Sequence, residues 1–298
     1  MNRNVFILNP KAGFRKLEEW KALIAAKFGE NAIIRLTERA GHATEIAKEY
    51  TNSTIFAVGG DGTVNEVMNG LVGSDNTLCI LPAGSGNDFV RTLYKDIPKK
   101  KRTVKGILER IETLKPKKID CSSANGSYFM NIASVGFDAE VVRNSERYEN
   151  VPGLRKLSYI ISIFYTIFHY RGIDLKGEID GIPFEQKSLL LCVANGKYYG
   201  GGVKIAPEAE FDDGKLDAYL IESVSPMRFL SVLPKLAAGT HTKLRFVKHF
   251  KADKVTLQGE NLTLNLDGEL SPTQEAAFQV IPGGITVLAP EPSIPQIS

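Results

Sequence analysis

Three short runs in the first ninety residues join glycine to polar side chains: Asn9-Pro10-Lys11-Ala12-Gly13, Gly59-Gly60-Asp61-Gly62-Thr63 and Gly84-Ser85-Gly86-Asn87-Asp88. Glycine lets backbone N–H groups approach an anion closely and tolerates positive φ. A helix opened directly after such a run adds free N–H groups and the positive end of its dipole. Thr63 and Ser85 contribute hydroxyl donors. One run alone reads as a tight strand-to-helix turn, whereas three of them, each after an apolar segment, point to a phosphate-binding edge. The best-known phosphate signatures are missing: there is no G-x-x-x-x-G-K-[ST], and no G-x-G-x-x-G follows the first apolar segment.

Acidic residues supply the remaining chemistry. Asp61 is placed either to order a magnesium ion near phosphates or to cap the following helix. Asp267-Gly268 is a hairpin signal, and Glu269 follows it. Asp212-Asp213-Gly214 offers oxygen ligands to a hard cation and also reads as a solvated turn. Asp120 sits near a domain junction and is a further candidate for an acidic cluster. His42, His169, His241 and His249 show no metal spacing, and Cys79, Cys121 and Cys192 neither pair nor cluster.

The elements that must position these groups alternate at first. Residues 5–8, 32–36, 54–58 and 78–81 read as buried strands, and residues 16–28, 43–50, 63–72 and 87–93 as helices, the pattern of a parallel sheet covered on both faces. Ligands of such sheets bind beyond the carboxyl ends of the strands, where all three runs fall. After the polar stretch Lys115-Pro116-Lys117-Lys118, strand-like runs dominate at 128–133, 189–194, 216–222, 254–257, 262–266 and 278–281. Two helices interrupt, at about 153–170 and 226–238, and a last strand at 285–288 fits either domain. The tail 290–298 is expected to be loose.

At 298 residues, two domains are the better expectation. A net charge of +3 and a pI near 8.6 do not argue for nucleic acid. The three unpaired cysteines fit a reducing cytoplasm, and no leader pattern is read at the N-terminus. The longest apolar run, 157–168, is too short to span a bilayer. It could pack across the β domain or touch a lipid surface. Two basic groups, Lys99-Lys100-Lys101-Arg102 and the set Lys243, Arg245, Lys248, His249 and Lys251, suggest peripheral contact with anionic lipid, at about 1 kcal/mol per cation near the surface.

Together these motifs make the chain similar to the diacylglycerol kinase catalytic-domain family, which includes bacterial lipid kinases, sphingosine kinases and ceramide kinases. The resemblance rests on residues 59–67, on Asn9–Gly13, on Pro82-Ala83-Gly84-Ser85-Gly86-Asn87-Asp88-Phe89, on Gly136-Phe137-Asp138-Ala139-Glu140-Val141, on Tyr199-Gly200-Gly201-Gly202, on Asp212–Asp217 and on Asp267-Gly268-Glu269. It implies an α/β nucleotide domain at 1–121, to which 284–298 returns, and a largely antiparallel β-sandwich lipid domain at 122–283, with the active site in the cleft between them. It implies ATP and Mg2+, and a lipid acceptor drawn from a membrane, with diacylglycerol the default. Carried over by position, Asn9, Pro10, Lys11, Ala12, Gly13, Thr37, Gly59, Gly60, Asp61, Gly62, Thr63, Val64, Asn65 and Ser85 would contact the nucleotide. Glu269 would be the base, and Asp213, with carbonyls near Glu210 and Lys215, a structural metal site. Ser85 departs from the family's usual threonine but keeps the hydroxyl. The rival expectations are an NAD kinase, which shares the Gly-Gly-Asp-Gly-Thr run, and a non-catalytic binding protein on the same fold. Oligomeric state is not legible, and a homodimer stays open.

Overall fold

The computed structural model describes residues 3–13, 16–149 and 158–291. Its contacts divide the chain into two units, one of residues 1–121, 200–202 and 281–298, the other of residues 122–199 and 203–280.

The first unit begins with β1 (Arg3–Leu8), α1 (Leu17–Phe28), β2 (Ala32–Leu36), α2 (His42–Lys48), β3 (Ser53–Gly59), α3 (Asp61–Leu71), β4 (Thr77–Pro82), α4 (Asp88–Leu93) and α5 (Val104–Leu108). β1 pairs in parallel with β2 and β3, and β3 with β4. The continuous apolar runs explain this arrangement, because strands covered on both faces show no polar alternation. Val5, Phe6, Ile7 and Leu8 are wholly buried. Phe6 stacks on Phe56 at 4.2 Å, and Phe28 of α1 meets both rings edge-on.

β5 (Leu114–Ala124) carries the chain out of this unit. The stretch 115–118, expected as a junction, lies within that strand. Its proline and lysines are exposed or half-buried, while Ile119 and Cys121 are buried beyond them. The second unit then holds β6 (Ser127–Phe129), β7 (Ile132–Gly136), α6 (Phe137–Glu149), α7 (Ser158–His169), β8 (Ile173–Ile179), β9 (Ile182–Ala194), β10 (Leu216–Glu222), α8 (Pro226–Ala238), β11 (Val247–Ala252) and β12 (Lys254–Leu266). The long β13 (Glu269–Pro290) begins there and ends in the first unit, where Thr286 and Val287 pair in parallel with Thr77 and Leu78 of β4. Strand pairs within the second unit are antiparallel.

Its sheet is apolar on both faces. Along β9, Leu191 and Val193 enter one core while Leu190, Cys192 and Ala194 enter the other, the two-residue period of a pleated strand. α6, α7 and α8 cover the second of these faces.

Several expectations change. The strand at 128–133 is broken at Met130 and Asn131 into β6 and β7. Residues 278–281 and 285–288 are one strand, bent where Gly283 takes φ +59°. α6 was not anticipated, because its charged outer residues obscure the apolar spacing of Phe137 and Val141. The helix expected at 153–170 is described only as α7, residues 153–157 lying outside the described residues, as do 292–298 of the tail.

Candidate active site

The loops after β1, β2, β3 and β4 share one edge of the first unit's sheet, because the strands are parallel. Hydrogen bonds tie them together. The Asn9 N–H donates to the Val58 carbonyl (3.1 Å), the Thr37 N–H to that of Leu8 (2.9 Å) and the Ala83 N–H to that of Gly59 (2.8 Å). Asn9 reads two loops at once: its Nδ2 donates to Thr63 Oγ1 (3.0 Å) and its Oδ1 accepts the Lys11 N–H (2.9 Å).

Glycine is sterically required where the loops meet. A Cβ on Gly84 would stand 2.4 Å from the Gly60 Cα, a backbone atom that cannot step aside. A Cβ on Gly13, at φ +62°, would stand 2.4 Å from the ring of the buried Trp20. Asn87, at φ +50°, closes its own loop by accepting the Gly84 N–H (3.1 Å) and donating to the Gly84 carbonyl (2.7 Å).

Beside these loops lies a cavity of about 430 Å3, lined by Asn9, Pro10, Lys11, Thr37 and Thr63 together with Glu38, Arg39, Ala40 and Glu66. Five of the residues expected at a nucleotide therefore share one hollow. Gly59, Gly60, Asp61, Gly62, Ala12, Gly13 and Ser85 belong to the adjoining loops and are not among its lining residues. The side chains of Val64 and Asn65 are buried in α3, and Asn65 accepts hydrogen bonds from Asn69.

Asp61 joins two loops, its Oδ1 accepting the Asp88 N–H (2.8 Å). Asp88 is buried. It accepts the Gly201 N–H (2.8 Å) and Arg91 Nε (3.3 Å), while Arg91 Nη2 donates to the carbonyls of Gly86 and Gly201 (3.1 Å each). Burial, with the nearby charge of Asp61, pushes the Asp88 carboxyl above the usual range, against the opposing Gly201 N–H and Arg91. Gly200, Gly201 and Gly202 all have positive φ, and a Cβ on Gly202 would stand 3.2 Å from the Arg91 guanidinium carbon. Asp88, Arg91 and this triglycine strap were not read as a unit from the sequence, since more than a hundred residues separate them.

Asp120 is buried, and its Oδ1 accepts the Gly283 N–H (2.8 Å), tying β5 to β13. Among the described residues no three His, Cys, Asp or Glu side chains gather into a metal site.

In the second unit, Glu269 stands exposed at the first position of β13. The preceding turn is anchored by Asp267, whose carboxylate accepts the N–H groups of Met130 (2.9 Å), Asn131 (3.2 Å) and Ile132 (2.8 Å) at the β6–β7 break. Asn265 Oδ1 accepts the Gly268 N–H (2.9 Å).

At the other candidate cation site, Asp213 accepts the Lys215 N–H (3.1 Å) and is paired with the Lys251 ammonium. Lys215 Nζ instead reaches Asp253 (2.7 Å). Glu210 is exposed. Burial works against the Lys251 charge, and Asp213 and Asp217 together more than offset it, so its pKa is raised. In this structure the Asp213 carboxylate is engaged by the ammonium of its own chain. Three members of the basic group at 243–251 face acids: Lys248 faces Glu222 (3.0 Å), His249 faces Asp217 (2.6 Å) and Lys251 faces Asp213.

Glycine loops at the carboxyl edge of a parallel sheet, a hollow beside them and a second, antiparallel β unit define a class of two-domain phosphotransferase. Residues 3–124 match the diacylglycerol kinase catalytic domain, and residues 131–289 the YegS C-terminal NAD kinase beta sandwich-like domain. The chain is 32% identical to a diacylglycerol kinase of Bacillus subtilis (strain 168), covering 100% of this chain and 99% of the relative. It is 31% identical to a diacylglycerol kinase of Staphylococcus aureus (strain JH9), covering 95% and 91%. A solved structure from Bacillus anthracis str. Sterne superposes with a TM-score of 0.76 at 27% identity, covering 97% of this chain and 95% of that one. The chain belongs to the diacylglycerol kinase catalytic-domain family and is a lipid kinase of that type. The NAD kinase reading is met only weakly, by the description of the β domain.

Proposed function

We propose that this protein transfers the γ-phosphate of ATP to the free hydroxyl of diacylglycerol, giving phosphatidic acid and ADP. The observation that carries the reading is the meeting of Gly60 and Gly84 beside the hollow lined by Asn9, Thr37 and Thr63. Backbone contact that close leaves no room for side chains between the loops, so an anion could approach the main chain there. Phosphoryl transfer calls for positioning and charge neutralisation more than for covalent chemistry by the protein.

In this reading the loops at Asn9–Gly13, Gly59–Thr63 and Ser85 bind the nucleotide. Magnesium accompanying ATP supplies positive charge to the phosphates when bound. Asp61 is the acid suited to hold it, since it lies in the loops and adds its charge to that felt by Asp88. Glu269 takes the proton from the lipid hydroxyl as the new O–P bond forms and the bond to ADP breaks; a positioned base contributes about 10²–10⁴-fold. Diacylglycerol is proposed because the full-length relatives carry that name.

The test is a panel assay with radiolabelled ATP and dispersed diacylglycerol, monoacylglycerol, phosphatidylglycerol, a sphingoid base and NAD. Label is expected in chloroform-soluble phosphatidic acid. Label confined to the aqueous nucleotide, or to another lipid alcohol, would overturn the acceptor assignment.

A further inference from the structure

α7 is apolar on both sides. Toward the protein, Ser158, Ser162 and Thr166, four residues apart, lie beside the buried Ile167 and the half-buried Tyr159 and Ile163. The hydroxyls are satisfied there, Thr166 Oγ1 accepting from Asn144 Nδ2 of α6 (3.0 Å) and Ser162 Oγ donating to the Ser158 carbonyl (2.8 Å). The outward stripe at the same spacing is Ile160, Phe164 and Phe168, which are 52%, 48% and 46% exposed. With Tyr165, α7 holds four of the seven exposed large hydrophobic side chains among the described residues. Folding alone favours a polar outer face on such a helix, and a contiguous exposed apolar surface of this kind marks something that docks.

We propose that this face of α7 seats the protein on a lipid bilayer, with Ile160, Phe164 and Phe168 entering the boundary between headgroups and acyl chains. The proposal rests on the lipid-kinase reading above. Two observations choose a bilayer over a protein. The first is charge: α7 contains no acidic or fully charged residue, and its exit carries cations. His169 stacks on Tyr165 at 4.0 Å, and Arg171 donates from Nη1 to the Phe168 carbonyl (2.8 Å), which fixes a guanidinium at the end of the apolar stripe. An aromatic and basic rim around an apolar face is the composition of an interfacial helix.

The second observation lies behind the helix. Tyr159 and Ile163 turn inward from the exposed stripe and line a cavity of about 150 Å3 with Phe137, Phe229 and Leu236. An apolar hollow adjoining a bilayer-facing helix suits the first carbons of an acyl chain leaving the membrane.

The test compares the full chain with a Phe164→Glu/Phe168→Glu variant by flotation on phosphatidylcholine vesicles with and without phosphatidylglycerol. Losing two half-exposed phenylalanines from the contact should weaken vesicle binding about 30-fold or more. Turnover of vesicle-borne long-chain diacylglycerol should fall with it, while turnover of dispersed dioctanoylglycerol and the melting temperature stay as in wild type. Separately, Phe164→Trp should shift its emission to the blue on vesicles. Equal flotation of wild type and the double-Glu variant, or no blue shift, would overturn the proposal. So would a melting temperature lowered by the variant, which would mean that the chain covers its own stripe, or a wild-type dimer that the variant splits. A wild-type protein that floats but phosphorylates no lipid would remove the kinase reading and leave the docking surface standing.

Discussion

In the α/β unit, a methyl group on Gly84 would stand 2.4 Å from the Gly60 Cα. In the β unit, Glu269 is carried on a turn whose Asp267 takes three backbone N–H groups of the β6–β7 break. In the function proposed above, the first region makes its site from backbone and needs side chains to be absent. The second makes its site from one side chain and needs others to hold the turn. Backbone sites are intolerant of added atoms, and side-chain sites of lost ones, so the two should fail differently.

The largest effect tests the side-chain site. Glu269→Gln preserves shape and removes the proposed base. Turnover should fall by about 10²–10⁴-fold, with ATP affinity by calorimetry unchanged. Wild-type turnover in this variant would remove Glu269 from the chemistry. Loss of ATP binding would show that the side chain acts in the ground state.

A smaller effect tests the backbone site, using two glycines that differ in surroundings. Gly84→Ala must push the Gly60 loop aside. It should lose stability by about 1–3 kcal/mol, the usual cost of overpacking, and bind ATP about tenfold or more weakly. Gly62 has open space around a would-be Cβ and sits in the first turn of α3. Gly62→Ala should therefore fold as well as wild type or better, since alanine favours the helix by up to about 1 kcal/mol. If Gly62 is there to let phosphate approach, the same variant loses ATP affinity while keeping its melting temperature. Full ATP affinity in Gly62→Ala would confine the cradle to the loops at Gly60 and Gly84.

The same contrast explains what could be read without coordinates. The glycine loops were legible because missing side chains leave a mark in the sequence itself, and each mark follows an apolar run of a recognisable period. The Asp88–Arg91–Gly201 network left no such mark, because its members are distant in sequence and their pairing is a product of folding. Asp267 read only as half of a hairpin turn, although its carboxylate is what holds that turn. β8 was missed because Lys176 and Glu178 dilute its apolar alternation, and β11 because His249 and Lys251 read as a basic patch. Their partners, Asp217 and Asp213, lie on β10 or just before it. α7 read only as the longest apolar run, 157–168. The sequence did not show that Ser158, Ser162 and Thr166 face the protein while Ile160, Phe164 and Phe168 face out.

The smallest effect lies behind Glu269. Asp138, in the first turn of α6, is fully buried; its Oδ2 accepts from the Ser134 hydroxyl and from Asn265 Nδ2 (3.0 Å). Asn265 in turn holds the Gly268 N–H, so Asp138 supports the turn at one remove. Burial pushes the Asp138 carboxyl above its ordinary value, more than the hydrogen bonds from Ser134, Asn265 and the backbone pull it down. In the unfolded chain the group titrates near about 3.9. Between that value and the raised one, the folded protein holds a proton that the unfolded chain has released. Stability therefore falls as pH rises through that window and levels off above the raised value. Asp138→Asn keeps an acceptor for Ser134 and Asn265 and cannot ionise. Melting temperatures measured from acid to neutral pH should show wild type declining relative to the variant, at about 2–4 °C for each kcal/mol, while the turnover of the two converges at acid pH where Asp138 is neutral. Parallel melting curves would mean that the carboxylate is as comfortable folded as unfolded, and the turn would then owe its position to Asp267 alone.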